Sequence, residues 1–317
     1  MKLISKKQSI AVVTLVNCFA IFFAGAFLFT IIVYGGKPTQ TEEQTKLSQK
    51  PDPFLNLPLE AKAIYVFDTS TGKVLFAKNE NEKLPLASIT KVMTALVASS
   101  FSETMAIRVT DADLSSGAGG LRPGEEWSLK NLLNYTLVVS SNSGASAIAG
   151  AAGAVMTNQE GNTEARNEQT FVTEMNVTAK KLGMLQTEYY NPNGLDITDK
   201  LSGGYGSAKD MSTLFSYIIK TKPTLLEATS YDSLIYTSLD GVRHPAKNTN
   251  TMIRTIPGMV ASKTGYTDLA NGNLVIVFNA GLMKPIVVAV LGSSQEGRFT
   301  DVEKLVIASL VKIGQGE

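Results

Sequence analysis

The chain holds one cysteine and one histidine in 317 residues. Cys18 falls inside an apolar N-terminal run, so no intramolecular disulfide forms and the folded part keeps no thiol for catalysis. His244 stands beside a proline in "GVRHPAK", which reads as a polar surface turn. A histidine zinc site or a Ser-His-Asp triad would hang on that single side chain, so no metal or other cofactor is expected. An excess of one charge is also missing. The 29 basic and 28 acidic residues leave a net charge of +1, and no basic stripe argues for nucleic acid. The 44% apolar content excludes a disordered chain, and the length suits one large domain or two modest ones.

Charge is absent altogether from Ile10 to Tyr34, while Lys2, Lys6 and Lys7 precede that run in the basic flank 1–9. At about 1.5 Å per residue the run reaches roughly 37 Å as a helix, enough to cross a hydrocarbon core of about 30 Å with some tilt. Residues 10–34 are therefore expected to form a transmembrane anchor with the basic flank inside and the rest of the chain outside the cytoplasm. A long signal peptide cut near Ala24-Gly25-Ala26 or Gly35-Gly36 is the alternative, and either reading exports the remainder. Residues 35–58 are polar and proline-containing and read as a flexible tether to a folded domain over 59–317.

In the folded region, "KAIYVFD" and "KVLFAKN" flank "TSTG" and predict a β-hairpin. Helical patterns follow in Ser88–Ser99, in "SLKNLLNYTLVVS" with Ser128 as N-cap, and in "GASAIAGAAGAV", "QTFVTEMNVTAKKLG" and "SAKDMSTLFSYIIK". Strand patterns return in "MVASKTG", "NLVIVFNA" and "PIVVAVLG", before a last helix through "FTDVEKLVIASLVKI". This order predicts an α/β chain of the α+β kind: a mostly antiparallel sheet built from both ends of the region, helices packed on it, and an inserted helical lobe. Chemistry is expected where lobe meets sheet. The glycine-rich "SSGAGGLRPG" and "LSGGYG" lack the strand-turn-helix context of a phosphate loop and read as turns, and the polar "TNQEGNTEARNEQ" reads as a surface loop.

Three short motifs carry the chemistry. Ser88 and Lys91 stand three apart at a helix start, so hydroxyl and amine share a face, and burial among Ile89, Val92 and Met93 would favour the neutral amine that a serine nucleophile needs as base. The helix start also supplies free N–H groups able to hold an oxyanion. Ser140-Ser141-Asn142 in a turn can aim a hydroxyl and an amide into one cleft. Lys263-Thr264-Gly265, where an apolar strand runs into a turn, offers a cation and a hydroxyl to a carboxylate. Each motif alone is ordinary: a cap and a solvated lysine, an Asn/Ser turn, a strand end.

In this order the three resemble the penicillin-binding proteins and serine β-lactamases. "YYNPNGLD", "GSAKDMSTL", "VASKTGYTDLANGNLVIV" and "LGSSQEGRFTDVEKLV" are similar to the low-molecular-mass D-alanyl-D-alanine carboxypeptidases in particular. The resemblance implies a β-lactamase/DD-peptidase-like fold and a serine peptidase acting on peptidoglycan stem peptides, with β-lactams as covalent inhibitors. It implies Ser88 as nucleophile, Lys91 as base and Ser140 as proton relay, alone or with Lys263. Asn142 would hold the peptide, Lys263 and Thr264 the terminal carboxylate, Gly265 would allow close approach, and the N–H groups of Ser88 and Tyr266 would form the oxyanion hole. Ser141 and Ser143 depart from the pattern and leave open which serine relays the proton; Tyr266 stands where histidine is common. Many relatives carry a C-terminal β-domain and an amphipathic anchor, for which the N-terminal run is expected to substitute. A D,D-endopeptidase, a β-lactamase using Glu164 or Glu168, and a non-catalytic receptor are the competing readings.

Overall fold

The computed structural model describes residues 51–117, 119–157 and 163–316. The transmembrane expectation for residues 10–34 lies outside the described residues, as does most of the tether. Among the described residues no helix is long and apolar enough to cross a membrane. The chain divides after Pro51, and the unit Asp52–Glu317 contains every element below.

Five antiparallel strands form the main sheet in the order β10-β11-β12-β1-β2: β1 (Ala63–Asp68), β2 (Lys73–Lys78), β10 (Met259–Thr267), β11 (Asn271–Asn279) and β12 (Pro285–Ser293). The expected hairpin is β1–β2, and β1 reaches across the sequence to pair with β12, Ala63 opposite Leu291 and Asp68 opposite Ile286. The runs "NLVIVF" and "IVVAVL" are continuous because both faces are covered. Alternate residues divide between two cores. Leu274, Ile276, Val288 and Val290 pack with Val302 and Leu305 of the last helix, while Val275, Val277, Val287 and Ala289 pack with Met211, Leu214 and Phe215.

The helices are α1 (Thr90–Ala98), α2 (Leu129–Val139), α3 (Asn142–Thr157), α4 (Glu164–Lys181), α5 (Ala208–Thr221) and α6 (Gly297–Gly314). Helices α2 to α4 make the lobe inserted between β2 and β10, and Ser128 caps α2 by accepting from the Asn131 N–H. Short strand pairs complete the unit: β3 (Leu84–Pro85) with β7 (Gly204–Gly206), β7 with β6 (Glu188–Tyr189), β4 (Ala106–Arg108) with β5 (Glu126–Ser128), and β8 (Ser233–Thr237) with β9 (Arg243–Lys247).

Several local expectations are corrected. Residues 164–169 of the supposed surface loop belong to α4, which Thr163 caps by accepting from the Arg166 N–H. "LSGGYG" is partly strand, because the β7 backbone pairs on both sides. Phe54 is buried and stacks on Phe76 at 5.2 Å, so the end of the expected tether packs onto the folded unit. His244 is no surface turn. It lies in β9, buried, with Nε2 2.6 Å from Glu125 Oε1 and its ring 4.7 Å from that of Trp127. Trp127 and Glu125 cover a segment, "GVRHPAK", whose own sequence is polar.

Candidate active site

Ser88 does not open an α-helix. It is the middle residue of a single 3-10 turn, Ala87–Ile89, placed ahead of α1 with Ala87 in the left-handed region at φ 48°. Such strain in a non-glycine residue persists only where the surroundings over-determine it. Here two glycines let backbone close on the turn: a Cβ at Gly194 (φ 79°) would run into the Ala87 carbonyl, and one at Gly265 would come within 2.8 Å of Leu86 O. Lys91 follows in the first turn of α1, with every residue of that helix buried.

The Lys91 amine makes three contacts: Ser88 Oγ at 2.7 Å, Asn142 Oδ1 at 2.8 Å and the Asn193 carbonyl at 2.6 Å. Burial, and next to it the charge of Lys263, hold its pKa well below the usual lysine range. A neutral amine has two N–H groups and one lone pair. Asn142 Oδ1 and Asn193 O can only accept, so they take the two N–H groups, and the lone pair faces the Ser88 hydroxyl. The contact set is that of a base poised on a serine.

The second half of the site lies on β10. Lys263 donates from Nζ to Ser140 Oγ at 2.8 Å and to Thr264 O at 2.9 Å. Burial, then the Arg298 charge, push its pKa down to about 7. Ser140 ends α2 in the left-handed conformation at φ 62°, which turns its hydroxyl toward Lys263. Ser141 is buried, with its Oγ accepting from the Gly144 N–H as a cap on α3, and Ser143 donates to the Gly117 carbonyl. Of the three serines, Ser140 is the one joined to the lysine. Asn142 is the first residue of α3 rather than a turn residue, and Lys263-Thr264-Gly265 sits inside a strand that continues to Thr267 rather than at a strand end.

Because β10 is an edge strand, alternate N–H groups point out of the sheet. The Ser262 N–H does so, donating to Thr229 Oγ1 at 3.0 Å. Two-residue periodicity therefore points the N–H groups of Thr264 and Tyr266 the same way, while the Tyr266 side chain is exposed.

Three participants escape a reading of motifs. The Asn193 carbonyl holds Lys91, a role any residue's backbone could fill. Thr249, after β9, has its hydroxyl 2.6 Å from that of Thr264. Arg298, buried at the start of α6, donates from Nη1 to the Gly265 carbonyl at 2.8 Å. "NPNG" and "EGRF" lie in segments similar to the carboxypeptidases, but no spacing in them signals these contacts. With Lys91 neutral, Lys263 and Arg298 are the cations of the cleft, and neither forms an ion pair with an acid among the described residues, which suits the site to an anionic group.

Known proteins share this arrangement of sheet and lobe. The ampicillin-bound penicillin-binding protein D2 of Listeria monocytogenes superposes with a TM-score of 0.67 at 29% identity, covering 82% of this chain and 99% of that one. In sequence, the D-alanyl-D-alanine carboxypeptidase DacF of Bacillus subtilis is 32% identical over 254 residues, 78% of this chain and 61% of the relative, so the chain spans less than two thirds of that protein. A D-alanyl-D-alanine endopeptidase of Pseudomonas aeruginosa is 29% identical over 248 residues, 73% of each chain. The family model described as D-alanyl-D-alanine carboxypeptidase matches residues 47–295, most of the folded unit, and the chain belongs to that family.

Proposed function

We propose that this protein is a serine-type D-alanyl-D-alanine carboxypeptidase that removes the terminal D-alanine from peptidoglycan stem peptides. The observation that carries the reading is the Lys91 contact set, a desolvated amine with its lone pair on Ser88. As Ser88 Oγ attacks the carbonyl between the two D-alanines, Lys91 accepts the hydroxyl proton. The N–H groups of Ser88 and Tyr266 hold the oxyanion. Asn142 lends its amide NH2 to the peptide, since its oxygen is engaged by Lys91. Thr264, backed by Lys263 and Arg298, receives the terminal carboxylate with Gly265 keeping the approach open. Lys91 hands the proton from Ser88, through Ser140 held by Lys263, to the departing amine, so D-alanine leaves and Lys91 is neutral again. Water then gives a proton to the neutral Lys91 and attacks the ester carbonyl; the bond to Ser88 Oγ breaks, Lys91 returns the proton to that oxygen, and the shortened peptide leaves.

β-Lactams fit the same cleft, since they present a carbonyl and a carboxylate to the same groups; a family member carries ampicillin in its solved structure. The reading is tested by incubating the protein with a stem pentapeptide and with cross-linked muropeptides and weighing the products. Release of D-alanine, abolished in Ser88→Ala, is expected; cleavage of cross-links alone would favour the endopeptidase reading that the Pseudomonas relative's name supports.

The run Ile10–Tyr34 is read here as a membrane anchor that leaves this unit outside the cytoplasm, supported by its length, its lack of charge and the lysines before it.

A further inference from the structure

One end of the main sheet carries two adjacent exposed apolar side chains, and it is the end at which the chain enters. Residues 52–61 run back along α6. Asp301 in its first turns accepts the N–H groups of Glu60 and Ala61 at 3.1 and 2.8 Å, Lys304 donates to Pro58 O at 2.6 Å, and Lys312 in its last turn pairs with Asp52 at 3.3 Å. Entry is therefore beside the C-terminal end of α6. Only residues 294–296 separate β12 from α6, so the helix returns along the sheet and ends near the start of β12. The β11–β12 turn over 280–284 lies at that end. So does the β1–β2 turn, whose Thr69 donates to Pro285 O at 2.8 Å.

From this end project Leu282 and Met283, 93% and 83% exposed at the tip of the turn, with Leu55 69% exposed beside the entry. Exposed Lys284 follows them in the turn, and exposed Lys73 opens β2 at the same end of the sheet. Two adjacent, almost fully exposed apolar side chains with lysines at the same end are unfavourable in water and suit a lipid interface, where the apolar tips enter the acyl boundary and the ammonium groups meet anionic headgroups.

We propose that this end of the sheet seats on the bilayer surface through Leu282 and Met283. The inference rests on the anchor reading of Ile10–Tyr34. Read from the sequence as a tether, residues 35–51 would span about 20–25 Å, and the chain joins the folded unit at Asp52, at this end of the sheet, which favours lipid as the occupant over a second copy. The seating orients the active site. β10 runs away from this end, and Lys263 lies four residues beyond Met259, the partner of Phe278, or about 13 Å along the strand. The cleft is thus held above the headgroups, toward its polymeric substrate.

The test uses the full chain with Cys18→Ser in vesicles of phosphatidylcholine and phosphatidylglycerol, carrying an environment-sensitive fluorophore at Met283→Cys, with Leu55→Cys as a second site. The comparator is Leu185→Cys, 86% exposed, after α4 in the helical lobe. Brominated lipids are expected to quench the label at 283 several-fold more than at 185, and aqueous iodide several-fold less. Equal quenching at 283 and 185 overturns the proposal. So does protection from iodide without quenching by bromolipid, the pattern a second copy on the tip would give. A chain that fails to float with vesicles overturns the anchor reading itself, and the seating with it.

Discussion

Lys91 donates to Asn142 Oδ1 at 2.8 Å, so the amine beside Ser88 is held by a neutral amide at a point where a carboxylate would trap its proton. Asn142→Asp places that carboxylate there and raises the Lys91 pKa. Raising a lysine pKa by about one cuts its neutral fraction roughly 10-fold wherever the charged form dominates. Acylation of Ser88 by a fluorescent penicillin is expected to slow at least ~10-fold at pH 7 and to recover toward pH 10. A variant with the wild-type pH profile would remove Asn142 from control of the base.

Lys263 ties stability to pH. Its folded pKa of about 7 lies below the unfolded value near 10.5, so between these limits the unfolded chain binds the extra proton. The folded state bears the cost of a buried charge below about pH 7 and loses it as pH rises through the window. Stability contributed by this group therefore increases from about pH 7 to pH 10.5. Denaturant midpoints measured across that range should rise more steeply in the wild type than in Lys263→Met. Identical slopes would contradict the assignment.

Thr249 is expected to set the direction of the Thr264 hydroxyl. The two oxygens are 2.6 Å apart, and if Thr264 is to donate to a substrate carboxylate it must accept from Thr249. Hydrogen bonds to charged groups are worth about 1.5–3 kcal/mol, so Thr249→Val should raise KM for a D-Ala-D-Ala peptide by roughly 10-fold or more with kcat little changed. Thr249→Ser should restore it. A fall in kcat at constant KM would assign the residue elsewhere.

The His244–Glu125 contact is structural. Both side chains are buried, and Glu125 also accepts the Arg122 N–H at 3.2 Å, securing the loop that ends in β5. Removing one partner of a buried ionisable pair costs about 3–5 kcal/mol, so His244→Ala should lower unfolding stability by that order. The penicillin acylation rate of the folded fraction should stay within a few-fold of wild type, because the contact is separate from Ser88 and Lys91.

Much of the fold is legible in the chain because periodicity is a local property. "NLVIVF" and "IVVAVL" announce doubly covered strands, "STLFSYIIK" an amphipathic helix, and the order of such runs leaves few ways to close an antiparallel sheet from both ends. The reacting groups are legible for a different reason: a hydroxyl, an amine and an amide have to be particular residue types, so Ser88, Lys91, Ser140, Asn142 and Lys263 stand out once three motifs, each ordinary alone, are matched in order to the family they resemble. His244 misled because its neighbours along the chain are polar, while the groups that bury it, Trp127, Tyr135 and Glu125, come from more than a hundred residues away.

By itself the sequence determined the order of the main elements and the chemical types available at the site. Tertiary structure alone decided the state of those groups. Whether Lys91 is a base or a solvated cation depends on burial and on Lys263, which lies far along the chain in a different element. Likewise, the left-handed Ala87 that presents Ser88 exists because Gly194 and Gly265 let two distant segments close on it. Desolvation and backbone strain are properties of packed neighbours, and no single stretch of chain contains them.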